Sequence, residues 1–367
     1  MRVLIYQIGQ LGDNIVSIPA IRAVREHFGK EVGIHVLYDV HSGGLVTADM
    51  VLSSCGAVDE FVPYRFARTF MGKLRTAMSV WRRVRRLRID VVISMLPSDR
   101  PAEALRRDRF FFRLCGISKM IGFDPIAAGI VHPRDEAGRP VEAAHEAILR
   151  LRRLRIEGIG KAGSDYFHLP FLDLDAHESA PSAEWLCARR LHPEKALIAL
   201  CPGCKQDANR WPVGRFVEIG RRILDTGLAE PVLVGGPAER AVSEHLVREW
   251  GGRGIAAAGR FSVSGSAWLL SQCSMLIGLD TGTTHLAAAM GVPCVVIQGA
   301  QNNPGLWAPL GDGHTIIRHP VPCAGCLFAE CPVAGHPCLE GITVDEVWRS
   351  VRQSILRTLA IHAPVLG

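Results

Sequence analysis

Strand-length apolar runs alternate with helix-period segments along the whole chain. Residues 2–8 form a largely apolar run closed by Gly9, the pattern of a strand buried on both faces. Ile15, Ile18, Ala20, Ile21, Val24 and Phe28 then recur at helical spacing and predict a helix over 14–28. Runs at 32–38, 60–64 and 91–96 predict three more strands with helical segments between them, and 142–156 predicts a closing helix. A polar, proline-containing stretch at 173–182 reads as a joint, after which the pattern begins again. Strands are expected at 197–200, 231–234, 275–278 and 293–298, and helices at 213–224, 267–273 and 283–290. Such alternation predicts βαβ units and parallel sheets, here in two sets. In open α/β sheets ligands bind beyond the carboxyl ends of the strands, so the chemistry should lie in the loops that follow them.

Length and composition sharpen this picture. At 367 residues the chain suits two domains, divided near 165–182, and 48% apolar residues can supply both cores. A charged fraction of 21% argues against disorder. Residues 1–160 hold 25 Lys/Arg against 17 Asp/Glu, a balance of +8; the remainder holds 17 against 19, a balance of −2. The first half is therefore suited to an anionic partner. The opening MRVLIYQIGQLGD lacks the apolar core and cleavage site of an export leader, and no window is apolar enough to span a bilayer. Eleven cysteines without such a leader point to thiols or metal ligands in a reducing compartment, and the chain reads as cytoplasmic.

Four post-strand loops carry candidate chemistry. Gly9-Gln10-Leu11-Gly12-Asp13-Asn14 offers glycines for close backbone approach and an acid, Asp13, at the mouth of a helix, where it is either a cap or a functional carboxylate. The spacing is not G-x-G-x-x-G and Asp39 completes no dinucleotide fingerprint, which disfavours an NAD-dependent oxidoreductase. Asp280-Thr281-Gly282-Thr283-Thr284-His285 sets a helix N-terminus at the end of a strand, an arrangement whose N–H groups and dipole attract anions. The loop at 202–212 brings Lys205 and Arg210, which can neutralise a diphosphate or remain solvated surface charges. The fourth loop, Gly235-Gly236-Pro237-Ala238-Glu239, can admit a ribose or base or simply turn the chain.

The opening LGD, the PG…RWP…F segment, LW-x-PLG and above all GLDTGTTHLAAAMGVP resemble glycosyltransferase family nine, the ADP-heptose–lipopolysaccharide heptosyltransferases, nearly end to end. That resemblance implies the GT-B fold, an α/β architecture of two Rossmann-like domains with parallel sheets facing a central cleft. Residues 1–170 would bind the acceptor and 171–367 the nucleotide sugar, with the last helix a candidate to pack back on the first domain. It implies Asp13 as general base, a donor-diphosphate site at Asp280, Thr281, Gly282 and His285, and Glu239 against the nucleoside; the reading of the loops adds Gly12, Lys205, Arg210 and Thr283 to that donor site. The implied reaction moves a heptose or related sugar from an ADP-linked donor to a lipopolysaccharide core or other surface glycan. It would be inverting and free of any catalytic metal or cofactor, since no Asp-x-Asp motif stands in a suitable loop. One departure stands out: where many members carry Lys two positions before the Trp of RWP, this chain has Asn209. Either Lys205 or Arg210 takes over that role, or the donor differs in detail, or the chain is a nucleotide-sugar-binding protein without transferase activity; a member using a different donor sugar or a protein acceptor is the remaining alternative.

Two features lie outside these loops. Arginines crowd 73–88, and Arg150, Arg152, Arg153 and Arg155 form a second cluster. Either they solvate helix faces, or they meet an anionic glycolipid acceptor and contact the inner membrane peripherally; no nucleic-acid motif accompanies them. Cys323, Cys326, Cys331 and Cys338 are the densest thiol group, either metal ligands to a structural Zn or Fe or reduced thiols. Cys55, Cys115, Cys187, Cys201, Cys273 and Cys294 are expected as small core residues.

Overall fold

A computed structural model describes residues 1–40, 45–67, 69–124, 129–161, 163–190 and 192–362. The chain divides into two compact units: residues 1–133 with 143–173, and residues 134–142 with the chain from Leu174 onward.

The first unit runs β1 (Arg2–Gln7), α1 (Leu11–Phe28), β2 (Gly33–Val40), α2 (Ala48–Leu52), β3 (Glu60–Arg65), α3 (Phe70–Leu87) and β4 (Val91–Ser94). It continues through α4 (Ala102–Leu114), β5 (Lys119–Ile121) and α5 (Glu146–Arg155). Its sheet is parallel throughout, in the order β3-β2-β1-β4-β5. The strand order reverses between β1 and β4, so the loops after these two strands flank the crevice where such sheets take ligands. Every residue of β4 is buried, as are Val3 to Gln7 of β1, which explains why both read as apolar runs rather than alternating ones.

The second unit opens with α6 (Ala176–Cys187), β6 (Ala196–Cys201), α7 (Val213–Asp225), β7 (Ala229–Leu233), α8 (Arg240–Glu249) and β8 (Ile255–Ala256). Then come α9 (Val263–Ser271), β9 (Met275–Leu279), α10 (Gly282–Ala289), β10 (Cys294–Ile297), β11 (Thr315–Ile317), α11 (Pro337–Glu340) and α12 (Val344–His362). Its parallel sheet is ordered β11-β10-β9-β6-β7-β8, with the reversal between β6 and β9. The core gathers around Trp211 and Trp250, both fully buried and both donating their indole N–H, to Ile342 O at 3.0 Å and Val217 O at 2.9 Å. A side chain at Gly220 would meet the Trp250 ring at 2.1 Å, so this mid-helix glycine is a packing requirement. The last helix packs on α7 and β10 of its own unit.

Two expectations are corrected. The stretch at 173–182 is not a mere joint: α6 begins inside it, with Asp175 accepting the His177 N–H at 2.6 Å and Pro181 lying within the helix. Proline and polar residues mask the helical period there. Cys187 is exposed, unlike the other cysteines expected in the core. Among the described residues no helix is long and apolar enough to cross a membrane.

Candidate active site

At the reversal point of the first sheet, Gly9 leaves β1 with φ +138°, and a Cβ there would lie 2.5 Å from Asp13 Cβ. Glycine is required twice over, by its conformation and by the acid pressed against it. The helix starts at Leu11, three residues before the hydrophobic period does, so Asp13 stands within the first turn rather than at its mouth. Its Oδ2 accepts the Gln10 N–H at 2.9 Å, and Gly12 sits beside it in the same turn. Burial pushes the Asp13 carboxyl above the ordinary carboxylate range, opposed by the Arg150 charge and the Gln10 N–H. A carboxylate so placed is a stronger base than a solvated one.

Arg150 belongs to the second arginine cluster, and the structure corrects the reading of that cluster as a surface. Arg150 and Arg153 are buried to within 2% of completely, on either side of a fully buried Glu146. Glu146 Oε1 accepts from Arg150 Nε at 3.0 Å and lies 3.7 Å from Arg153 Nη2, while its carboxylate also takes the Ser98 N–H at 3.1 Å. Arg153 donates to Leu96 O at 2.6 Å, and Arg150 to Asp13 O at 2.8 Å. One ion-paired cluster on α5 thus ties the β4 loop to the first turn of α1. Only Arg152 and Arg155 are exposed.

In the second unit, a pocket of about 240 Å³ opens at the β6/β9 reversal. Gly203, Lys205, Asn209, Glu239, Asp280, Thr281, Gly282 and Thr283 line it, together with Cys201, Cys204 and Gln206. Three loops read separately in the sequence therefore form one wall. Gly203 makes this possible, since a Cβ there would fall 2.0 Å from Glu239 Cγ. Glu239 is held by the Gly236 N–H at 2.7 Å. Thr284 turns away, donating to Leu279 O at 2.6 Å. His285 is buried behind the pocket, its Nε2 4.0 Å from Asp280 Oδ1 and its ring edge-on to Trp307. Arg210 does not line the pocket; it pairs with Asp207 at 3.1 Å and donates to Cys204 O at 3.3 Å.

Sequence reading missed Gln298 and Arg318. Parallel register sets Ile297 beside Leu279, which brings Gln298 next to Asp280, and Gln298 Nε2 donates to Asp280 Oδ2 at 3.0 Å. Burial pushes the Asp280 carboxyl up to about 6, with Gln298 and the Arg318 charge opposing. Folding thus favours the protonated form: the group's relative stabilisation is full below the ordinary carboxylate range and lost as pH rises through about 6. Asp280→Asn is accordingly expected to raise the free protein's stability at pH 8 by up to about 3 kcal/mol, an advantage that vanishes near pH 4. Chemical denaturation of both proteins at the two pH values checks this.

The model of glycosyltransferase family 9 (heptosyltransferase) matches residues 77–336. The chain belongs to glycosyltransferase family 9. It is 26% identical over 346 residues to lipopolysaccharide heptosyltransferase 1 of Pseudomonas aeruginosa, covering 90% of this chain and 87% of that one. Among solved structures it resembles a family 9 glycosyltransferase from Veillonella parvula, with TM-score 0.73 at 18% identity and 97% of both chains covered. It also resembles the E. coli ADP-heptose LPS heptosyltransferase II, with TM-score 0.66 at 18% identity, covering 98% of this chain and 99% of that one. The fold is the GT-B fold of these enzymes.

In this family 9 chain the four clustered cysteines line one small pocket with His336 and Ala208. Among the described residues no group of three or more His, Cys, Asp or Glu is arranged to hold a metal, so the Zn or Fe expectation gains no support. The segment instead braces the donor loop. His336 Nε2 lies 3.0 Å from Ala208 O, and the Ala208 N–H donates to Ala329 O at 3.0 Å, beside Asn209.

Proposed function

We propose that this family 9 glycosyltransferase moves a heptose from an ADP-linked donor to a lipopolysaccharide-type glycan acceptor, inverting the anomeric centre. The observation that carries the reading is the pocket at the β6/β9 reversal, where residues 280–283 at the start of α10 meet Lys205 and Glu239. The N–H groups at the head of α10 and the Lys205 ammonium suit the two phosphates. Glu239, on its glycine seat, suits the ribose hydroxyls. Asp280, poised near neutrality, suits hydroxyls of the sugar rather than the phosphates. The Pseudomonas aeruginosa relative is by name a lipopolysaccharide heptosyltransferase and the E. coli structure an ADP-heptose LPS heptosyltransferase, and these two names are the source of the sugar and acceptor in this proposal.

In the step itself, the acceptor hydroxyl oxygen attacks the anomeric carbon and passes its proton to Asp13. The bond from that carbon to the diphosphate breaks, its electron pair leaving with ADP. Charge growing on the departing phosphate is met by the α10 N–H groups and Lys205, with no catalytic metal assigned. The first unit, carrying Asp13, takes the acceptor.

The test is ADP release from ADP-heptose, against a panel of UDP-sugars, with and without a lipid A–core acceptor. Acceptor-dependent release from ADP-heptose alone supports the reading, and nucleotide binding without transfer to any acceptor overturns it. In the same assay Asn209→Lys, which adds a cation to the pocket wall, is expected to tighten ADP binding by about tenfold.

A further inference from the structure

Ser98 lies in the loop after β4, at the reversal point of the first sheet, and is buried. Its N–H reaches both oxygens of Glu146, at 3.1 and 3.2 Å, and its Oγ donates to Glu146 Oε2. The same Oγ lies 3.2 Å from His132 Nε2. Fully buried and ion-paired with Arg150 and Arg153, Glu146 is a carboxylate and only accepts. The one hydroxyl proton of Ser98 therefore goes to Glu146, and only lone pairs face His132. That fixes the tautomer: His132 Nε2 carries the hydrogen, and in the neutral ring Nδ1 keeps a bare lone pair. His132 is half-buried, and among the described residues Ser98 is the ring's only hydrogen-bond partner.

The support behind that ring is shared with the base. Glu146 accepts from Ser98 on one side and from Arg150 Nε at 3.0 Å on the other, and Arg150 donates to Asp13 O at 2.8 Å. One buried carboxylate thus holds both the ring and the turn that carries Asp13, all within the first unit. Groups fixed on one rigid support keep a fixed spacing, which is what gripping a substrate at two points requires. Sugars offer hydroxyls on neighbouring carbons, and a bare imidazole nitrogen is the complement of a hydroxyl donor. The geometry points to His132 as an acceptor-binding residue of this transferase: its Nδ1 accepts a hydrogen bond from one acceptor hydroxyl while Asp13 takes the proton of another. This rests on the reading of the first unit as the acceptor side. The donor plays no part in it, since the donor pocket belongs to the second unit.

Two near-isosteric variants divide the ring. His132→Gln places an N–H where Nε2 stood and keeps the bond to Ser98, with no acceptor at the Nδ1 position. His132→Asn places an oxygen where Nδ1 stood and gives up Ser98. The test is titration of a deacylated, water-soluble lipid A–core oligosaccharide into each protein at saturating ADP, beside steady-state transfer. His132→Gln is expected to weaken oligosaccharide binding about tenfold and to raise the acceptor KM to match, with Tm, ADP affinity and donor KM unchanged. His132→Asn is expected to recover most of that affinity. Binding kept in His132→Gln and lost in His132→Asn would make the ring a brace for Ser98, and overturns the proposal. So does unaltered affinity in both variants, or an equal loss in both. A wild type that binds no oligosaccharide and transfers to none overturns this inference together with the proposed function, whereas a wild type that binds and transfers, matched by His132→Gln, sinks this inference alone.

Discussion

Asp13→Asn is expected to lower kcat by about 10²–10⁴ while ADP affinity stays unchanged and the fold is retained. The separation follows from what each atom does. Asparagine keeps an oxygen to accept the Gln10 N–H, so the first turn of α1 and its contact with Gly9 persist. It loses only the ability to take a proton. The donor pocket lies in the other compact unit, lined by residues 201, 203–206, 209, 239 and 280–283, and Asp13 is not part of it. Isothermal titration with ADP beside steady-state transfer checks both halves. A variant with unaltered turnover would make Asp13 a helix residue and nothing more. The pH profile adds a second reading. Burial holds the Asp13 carboxyl above the ordinary carboxylate range, so the acidic limb of kcat/KM should fall above the pH at which a solvated aspartate titrates.

How much of this was legible in the sequence depended on whether the signal was local. All four strands expected in the first sheet are present; β1, β2 and β4 were legible because parallel strands buried on both faces read as largely apolar runs, whereas β3 is an edge strand with only Val62 buried. β8 and β11, two and three residues long at the sheet edges, are too short to carry a pattern. The first turn of α1 was missed because Leu11-Gly12-Asp13 has no apolar period, and α6 because Pro181 sits inside it. The donor-loop residues were legible because each follows a strand. That Gly203 seats Glu239, and that Gln298 steadies Asp280, depends on which strands lie side by side, which is a property of sheet order. The arginines of α5 show the opposite failure. Composition counts charges without their burial, and Arg150 and Arg153 entered the +8 balance although they face inward. The Glu146–Arg150 spacing of four was the available signal.

That inward-facing cluster should be the most costly to break. Glu146→Gln keeps the volume and removes the charge, leaving two buried guanidinium groups without their counter-ion. The expected loss is about 3–5 kcal/mol of stability, seen as a fall of roughly 10 °C in Tm for a unit of this size. Burial draws Arg153 down to about 10, and the Glu146 carboxylate is the group that opposes the shift. The effect should reach catalysis by a defined route. Arg150 Nη1 holds Asp13 O at 2.8 Å and its charge lowers the Asp13 carboxyl. Arg150→Met should therefore raise that carboxyl further and move the acidic limb of the rate profile to higher pH. Glu146→Leu/Arg150→Met should cost less stability than the sum of its single changes, because the pair is removed together. If the cluster were only a brace, the variants would shift Tm and leave the pH profile of the surviving activity in place. Movement of the profile in Arg150→Met, measured well below its melting temperature, identifies Arg150 as a positioning residue for the base.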